Sequence, residues 1–316
     1  MNYIVGCFDA IISMGTVAAD LGFVRPTITE DNVVIIKQGR HILQEMTVDT
    51  FVPNDTFVSP EKNVALITGP NGSGKSVYIK QVGVLVFLAH IGSYLPCEKA
   101  IIGLTDSIFT RISTIETVKS PESAFSCDLT QISRMLQMHT PRSLCLVDEF
   151  GKGTSPIDGI ALLAVTIRHF MREKAKFFCV LHFTEIFAED IININSEETS
   201  CISAFVMETY ENENKNEEHD PYKSSLPLYT LGIGISPSSN GIPCAFSSGI
   251  PQKILKRAQE VKDSIISKKE IMPIKLSSHE ERFSHSEIIG VQTLLSTDWR
   301  NASSREVDEI RRHFGV

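Results

Sequence analysis

The chain has 316 residues, of which 42% are hydrophobic, and its formal net charge is −8 at pH 7. This length allows one large domain or two, and the hydrophobic fraction is sufficient for a sizeable core. The acidic balance argues against the chain being a main nucleic-acid contact surface, because phosphate binding requires an excess of lysine and arginine. The seven cysteines stand singly without metal-ligand spacing, which predicts reduced thiols in a cytosolic or nuclear protein.

The N-terminal segment is apolar, but it carries Asp9 and Asp20 and has no basic residue before Arg25. A signal peptide has the opposite charge bias, so we expect the end of a helix there. The longest uncharged stretch, 81–97, contains two glycines and Pro96, which favours a buried helix over a membrane span. The sequence therefore predicts no membrane partner.

A glycine-rich segment, GPNGSGKS at 69–76, lies between a short apolar run at 64–68 and a long apolar segment at 77–95. This order predicts a buried strand, a tight loop and a helix, whose backbone amides together bind phosphate. The lysine of such a loop reaches the β- and γ-phosphates, and the last hydroxyl ligates Mg²⁺. The residues expected to bind the nucleotide here are Gly69, Pro70, Asn71, Gly72, Ser73, Gly74, Lys75 and Ser76.

Two adjacent carboxylates, Asp148 and Glu149, end the apolar run SLCLVDEF at 143–150. Ligands of open α/β sheets bind at the carboxyl ends of the strands. We expect Asp148 to hold Mg²⁺ and Glu149 to orient or deprotonate the attacking water. His182 follows another strand-like run, 177–181, and is expected to contact the γ-phosphate from the neighbouring strand. The alternatives are a solvated acidic strand end and a structural histidine.

The segment GKGTSPIDG at 151–159 is predicted to be a loop because of its glycines and Pro156. Asp158 is the expected cap of the helix that follows at 160–172. A plain connection between a strand and a helix is the alternative. Farther along, helical spacing at 251–269 behind a proline predicts another helix.

Between these segments, 208–225 is polar and acidic, and it is expected to form a solvated loop between two strands. Beyond it, Trp299 is expected to be a packing anchor.

Several motifs in this order resemble the MutS family of DNA-mismatch and recombination ATPases, over about residues 20 to 265. The segments that carry the resemblance are TFVPND (50–55), GPNGSGKS (69–76), IGSYLP (91–96), IFTRI (108–112), DEFGKGT (148–154) and LHFTEI (181–186). Lys152 stands where the mismatch-repair members more often have arginine. This lysine, TFVPN and the segment 234–261 make the chain most similar to the meiotic branch of the family.

The resemblance implies an α/β P-loop NTPase of the ABC-like kind, with a mixed sheet covered by helices and a C-terminal helical dimerisation segment. It also implies three regions along the chain. Residues 1–25 would be the remnant of a lever helix, 26–265 the ATPase domain, and 266–316 a helical dimerisation tail. The DNA-reading and clamp regions of the family would precede this sequence, so a fragment, a truncated gene model and a degenerate paralogue all remain open.

The resemblance also assigns roles to single residues. Phe51 matches the aromatic residue that stacks on adenine, and Ser123 matches the serine that reaches the γ-phosphate of a dimer partner. The departures are Ala124, where the family usually has threonine, and Pro121, where it usually has glycine. These two changes leave a purely structural role for the loop open.

The function implied is binding and hydrolysis of Mg–ATP in a nuclear heterodimer that acts on branched DNA during meiotic recombination. The expected partners are DNA, bound mainly by regions outside this sequence, and a subunit of the MutS homologue four type. A mismatch-repair ATPase and a non-catalytic ATP-binding scaffold are the alternatives. A small-molecule kinase is a further rival, but the sequence has no arginine-rich lid segment.

Overall fold

The structure is a computed structural model that describes most of the chain up to residue 271. The described residues are 2–112, 124–188, 191–194, 196–210, 226–236, 241–267, 269–271, 289, 293, 307, 308, 311 and 312. The predicted roles of Pro121, Ser123 and Trp299 and the predicted loop at 211–225 lie outside the described residues. By their contacts, the residues fall into two compact units, Met1–Leu255 and Lys256–Val316.

The described part of the chain forms ten strands and eight helices. The strands are β1 (Thr27–Thr29), β2 (Val34–Gly39), β3 (Asn54–Val58), β4 (Val64–Thr68), β5 (Lys99–Gly103), β6 (Ile108–Arg111), β7 (Leu144–Asp148), β8 (Lys176–Val180), β9 (Ile202–Tyr210) and β10 (Leu226–Ile233). The helices are α1 (Asn2–Asp20), α2 (Ile42–Glu45), α3 (Lys75–His90), α4 (Ala124–Met138), α5 (Pro156–Arg172), α6 (Glu185–Ala188), α7 (Gly241–Ser247) and α8 (Gln252–Ile266).

The larger sheet has six strands in the order β10-β9-β4-β8-β7-β6. All neighbours are parallel except β10, which pairs antiparallel with β9. The carboxyl ends of β4, β7 and β8 therefore meet at one edge, where the three predicted motifs follow them. A second sheet has the order β1-β5-β2-β3. The mixed sheet and its helical cover confirm the predicted fold class.

Helix α3 lies between the two sheets. Its side chains Ile79, Val82 and Leu85 belong to one buried apolar cluster together with Val34 and Ile36 of β2. A helix covered on both sides must be apolar around its whole circumference, which explains the long apolar segment behind the glycine-rich loop. This packing fixes the start of α3, where the phosphate is expected to bind.

Helices α4 and α5 cover the opposite face of the six-stranded sheet. A second buried cluster contains Met135 of α4, Leu163 and Phe170 of α5, and Phe177 of β8. The rings of Phe170 and Phe177 stack with their centroids 4.3 Å apart. The cluster also contains Cys145 and Cys179 in β7 and β8, as predicted for thiols inside apolar strands.

One polar junction joins the turn before β2 to the six-stranded sheet. The Asn32 side-chain amide donates to the carbonyl oxygens of Pro141, at 2.6 Å, and of Lys174, at 2.7 Å. Its oxygen accepts a 2.6 Å bond from the buried ammonium of Lys176, which also donates to the Arg142 carbonyl. Burial lowers the pKa of Lys176 to about 8.

The predicted boundaries differ from the structure at several points. Helix α5 begins at Pro156, not at residue 160, and its N-cap is Ser155, not Asp158. The Ser155 hydroxyl accepts from the Asp158 amide at 3.2 Å and donates to its carboxylate at 2.8 Å. Proline is preorganised for the first helical position, so it starts this helix and does not prolong the loop. Residues 208–210, the first three of the loop expected at 208–225, belong to β9.

Helix α1 is the expected helix near the N-terminus. By length and composition, its segment Tyr3–Asp20 is long and apolar enough to cross a membrane, and 6% of that segment is buried. The same composition occurs in helices that pack against other protein segments. The lever-helix assignment of 1–25 and the boundaries at 26–265 and 266–316 stay predictions.

Candidate nucleotide-binding site

The glycine-rich segment forms the predicted loop between β4 and α3. Gly72 and Gly74 have φ angles of 76° and 96°, in the left-handed region that favours glycine. Gly69 is constrained by space as well, since a Cβ there would lie 2.9 Å from the Cβ of Met207. Within the loop, the Ser73 hydroxyl donates to the Pro70 carbonyl at 2.8 Å. The loop is therefore held in a curved shape before any ligand binds.

Lys75 is buried. Its ammonium donates to the carbonyl oxygens of Gly69, at 2.8 Å, and Pro70, at 2.7 Å. Burial lowers the pKa of Lys75, while the nearby carboxylates of Glu149 and Asp148 act in the opposite direction. The ammonium is thus folded back onto its own loop, next to the acids that end β7.

Asp148 is the last residue of β7, as predicted, and it is buried. Burial raises the pKa of its carboxyl group, and a hydrogen bond from the Ser76 side chain acts against this rise. Among the described residues, the Oδ1 atom of Asp148 has no hydrogen-bond partner. A carboxylate oxygen without a partner beside a hydroxyl is a donor set that suits Mg²⁺, which prefers oxygen ligands. Asp148 and Ser76 therefore fit a divalent cation.

Arg111, at the end of β6, holds the Asp148 backbone in place. Its guanidinium donates to the Asp148 carbonyl and forms a buried ion pair with Asp128 of α4. Arg111 lies in the IFTRI segment that contributed to the family resemblance. Its contacts tie three elements, β6, β7 and α4, at the edge where the acids lie.

Glu149 lies in the left-handed region, with a φ of 56° that is unusual for a residue with a side chain. Its amide donates to the Val180 carbonyl at 3.1 Å, which fixes the turn after β7. Its carboxylate lies 2.6 Å from the Lys152 ammonium. Glu149 lines the cavity described below, and its contact with the attacking water stays a prediction.

His182 follows β8, at the same sheet edge as Glu149. The imidazole is half-buried, and burial, followed by the charge of Lys152, lowers its pKa. It is therefore neutral near pH 7. His182 does not line the cavity, unlike Glu149, so a contact with the γ-phosphate stays a prediction.

A cavity of about 570 Å³ extends from the phosphate loop towards the four-stranded sheet. Its lining includes Phe51, Glu149 and the loop residues 71–76 among the predicted site residues. The predicted loop residues Gly69 and Pro70 do not line the cavity. Their carbonyl oxygens accept hydrogen bonds from the Lys75 ammonium. The volume is typical of small-molecule sites, which are concave, mostly apolar and lined by a few polar groups. The cavity thus brings together an aromatic side chain, an acid and the loop whose backbone amides are predicted to bind phosphate.

The sequence did not predict Tyr229, which lines the same cavity from β10. Its φ is 58°, and the pairing of β10 with β9 shifts register between Pro227 and Leu231. The Asn54 side chain holds this irregularity, donating to the Tyr229 carbonyl at 2.9 Å and accepting from the Leu231 amide at 2.7 Å. No glycine or proline at 229 signals the bend. Only Asn54, inside TFVPND, lay in a segment that the sequence had marked.

The site residues lie within or beside a segment, residues 65–266, that matches the MutS domain V family model. The chain is 34% identical over 280 residues to MutS protein homolog 5 of Saccharomyces cerevisiae, covering 82% of this chain and 31% of that protein. It is 34% identical over 259 residues to DNA mismatch repair protein Msh3 of Mus musculus, covering 79% and 23%. DNA mismatch repair protein MutS of Carboxydothermus hydrogenoformans is 34% identical over 293 residues, with 90% and 33% covered.

The chain therefore spans a third or less of the length of these relatives. The family match covers more than half of the chain and includes the phosphate loop, both acids, His182 and Tyr229. On this match, together with the P-loop geometry and the mixed sheet, the chain belongs to the MutS family, of which it contains the domain V ATPase module.

Proposed function

We propose that this chain binds Mg–ATP in the cavity beside the phosphate loop and hydrolyses it. The observation that carries the proposal is that Lys75, Ser76 and Glu149 line one cavity of about 570 Å³, and that Asp148 is joined to them by the hydrogen bond from Ser76. Phe51 and Tyr229 also line this cavity and offer aromatic faces for a nucleobase.

Each residue has a separate task in this proposal. Lys75 leaves the carbonyls of its own loop and places its ammonium on the β- and γ-phosphates. Ser76 and Asp148 would hold Mg²⁺, which would supply positive charge to the phosphate oxygens when bound. Glu149 orients the water in line with the γ-phosphate and accepts its proton, and neutral His182 hydrogen-bonds the γ-phosphate.

A non-catalytic ATP-binding scaffold is the second candidate, and a specific contact favours it. The Glu149 carboxylate is paired with Lys152 at 2.6 Å, so one of its oxygens is not free for water. Nucleotide binding without turnover, with a partner subunit present, would support the scaffold.

The biological setting proposed is a nuclear heterodimer on branched DNA in meiotic recombination, with a partner of the MutS homologue four type. The support is the similarity of TFVPN, Lys152 and 234–261 to the meiotic branch, MutS homologue five. The alternative is mismatch repair, since the relatives named for that process are also 34% identical to this chain. DNA contact would come mainly from regions outside this sequence, in line with its net charge of −8.

Replacing Lys75 with alanine tests the proposed site. Hydrogen bonds to a charged group contribute about 1.5–3 kcal/mol, so Lys75→Ala should weaken Mg–ATP binding roughly 10- to 100-fold in a calorimetric titration. Lys174→Ala is the matched control, because this exposed lysine lies at the opposite edge of the sheet. The affinity of the Lys174→Ala variant for Mg–ATP should equal that of the wild type. Equal affinities for Lys75→Ala and the wild type would refute the site assignment.

A further inference from the structure

Two histidines and a glutamate meet where α4 and α5 end. His139 follows the last residue of α4, His169 lies in the last turn of α5, and Glu173 is the C-cap of α5. One ring nitrogen of each histidine and one carboxylate oxygen of Glu173 all lie within 4.8 Å of one another. None of these residues belongs to the nucleotide site.

The cluster lies at the edge of the sheet opposite to the acids. Helix α4 ends just before β7 begins, and α5 ends just before β8 begins, so both helix ends flank the amino ends of these strands. The whole length of β7, about 16 Å at 3.3 Å per residue, separates this edge from Asp148. Any ligand bound here is distinct from the nucleotide.

In each of the two imidazole rings, one nitrogen has no strong hydrogen-bond partner in the described chain. Nδ1 of His139 lies 3.1 Å from the Met135 carbonyl, so it carries the proton and leaves Nε2 as a free electron pair. That Nε2 atom is 4.0 Å from the Glu173 carboxylate. In His169, Nε2 is fully buried and has no hydrogen-bond partner among the described residues. A buried ring nitrogen without a partner is costly unless something binds it.

The backbone around the cluster is already fixed. The buried Asn63 side-chain amide lies within 3.0 Å of the carbonyl oxygens of Phe170, Glu173 and Ala175, so it caps the end of α5. The edge of the Phe170 ring packs against both imidazoles, at centroid distances of 5.0 and 5.3 Å. The Glu173 side chain is 45% exposed and is free to close over an ion.

We propose that His139, His169 and Glu173 bind a zinc ion that joins the ends of α4 and α5. Two imidazoles and one carboxylate are a ligand set that zinc takes in proteins, with about 2.0–2.2 Å to each ligand atom. Tetrahedral ligands at that distance are about 3.4 Å apart, so the exposed Glu173 carboxylate moves inward on binding. The partial negative charge at two helix C-termini adds further attraction for a cation.

The alternative is that the histidines only pack on Phe170 and that His139 forms an ion pair with Glu173 when protonated. Packing accounts for the two rings, but it leaves the buried Nε2 atom of His169 without a partner. A bound zinc ion would be a shared partner for the two ring nitrogens and the carboxylate oxygen that lie within 4.8 Å of one another. It also ties together two helices whose N-terminal ends lie at the nucleotide edge of the sheet.

The test is a zinc titration of the full chain. Protein freed of metal with a chelator is titrated with Zn²⁺ alone, in competition with a chromophoric chelator. We expect one zinc ion per chain at this site. Loss of a group that hydrogen-bonds a metal ligand weakens metal binding about 10- to 100-fold, so loss of a direct ligand in His169→Gln or Glu173→Gln should weaken zinc binding at least about tenfold. Zinc should also raise the melting temperature of the wild type and not of the variants.

His90→Gln is the matched control. His90 ends α3, and its Nδ1 lies 2.8 Å from the carbonyl four residues before it, as in His139. Its Nε2 accepts a 2.9 Å hydrogen bond from the Thr105 amide, and among the described residues it belongs to no cluster of three potential metal ligands. Its zinc affinity should equal that of the wild type. Mg–ATP affinity and the far-ultraviolet circular dichroism spectrum of each variant report whether the fold survives, and Glu173→Gln alters only a partly exposed side chain.

The X-ray absorption edge of the bound zinc gives an independent readout. Nitrogen and oxygen ligands without sulfur are expected. Sulfur in the coordination sphere, or an affinity that Glu173→Gln and His169→Gln leave unchanged, would place zinc at the cysteines and overturn the proposal. Failure of the wild type to bind Zn²⁺ at micromolar concentration would also overturn it.

Discussion

At the scale of single residues, the proposed hydrolysis of ATP depends on Glu149. Glu149→Gln keeps the shape and polarity of the side chain but cannot accept a proton from water. Hydrolysis should therefore fall roughly 10²- to 10⁴-fold while Mg–ATP affinity is retained. Release of inorganic phosphate, measured with the partner subunit present, checks this. Equal turnover of the wild type and the variant would show that Glu149 is not the base.

Asp148 links the chemistry of the site to the stability of the fold. Because burial raises the pKa of its carboxyl group above the ordinary 3.8, the native state binds a proton more readily than the unfolded chain. The stability of the wild type therefore decreases as pH rises through the window from 3.8 to the raised value.

Asp148→Asn removes this titrating group and keeps its shape. The variant should be more stable than the nucleotide-free wild type at pH 7, with the difference vanishing in acid, and it should lose Mg²⁺-dependent ATP binding. Urea unfolding at several pH values and calorimetric titrations with and without Mg²⁺ measure the two effects. A variant less stable than the wild type at pH 7 would contradict the stated cost of burying this carboxylate.

Residues of the site differ in how far the sequence could predict them. The glycine-rich loop and Asp148 were predictable because local spacing and an adjacent apolar run determine their positions. The burial of Lys75 was not predictable, because it depends on two carbonyls that only the folded loop turns towards the ammonium. Tyr229 was missed because a side chain of β3, Asn54, imposes its backbone conformation from far along the chain.

At the scale of elements, Asn32 links the turn before β2 to the six-stranded sheet. Asn32→Ala removes two donors to carbonyl oxygens and the acceptor of the buried Lys176 ammonium. The free energy of unfolding should fall by about 2–3 kcal/mol, since groups left without partners cost about 1–3 kcal/mol each and water repays part of this cost. Urea unfolding at pH 7 measures the loss.

The protonation of Lys176 gives this prediction a pH signature. Its lowered pKa means that the native state releases a proton at about pH 8, whereas the unfolded chain keeps it up to about 10.5. The wild type therefore gains stability between these values, and the deficit of Asn32→Ala should shrink above pH 8 as the lysine loses its charge. Asn32→Asp restores an acceptor for the ammonium but not the two donors. A deficit that does not change with pH would exclude Lys176 from the effect.

The elements themselves were largely predictable, because strands β4, β7 and β8 are uninterrupted apolar runs buried on both faces. Their boundaries were less so. The start of α5 was placed four residues late because Pro156 was taken as a loop residue, whereas Ser155 and Asp158 form a capping pair around it. The order of strands within each sheet depends on long-range pairing and could come only from the family resemblance.

At the scale of the whole molecule, the proposed heterodimer would be asymmetric. If the loop around Ser123 acts on the γ-phosphate of the partner, Ala124 and Pro121 slow hydrolysis in the partner's site and not in this one. Ala124→Thr restores the family residue, so turnover at the partner's site should rise selectively. The measurement disables each phosphate-loop lysine in turn and compares the remaining ATPase rate with and without Ala124→Thr. Acceleration confined to this chain's own site would contradict an action of the loop around Ser123 on the partner's γ-phosphate.

The position of Tyr229 has a consequence for how the chain reaches its folded state. Asn54 and Tyr229 lie 175 residues apart in the sequence, yet their contact closes one wall of the cavity. Contacts at such sequence separation form slowly, because a long loop must lose its entropy first. The phosphate loop is built from neighbouring residues and can form early, whereas we expect the aromatic wall to form later. ATP would therefore bind only after the cavity is complete. It would slow the reopening of the folded domain and would not affect the early stages of folding.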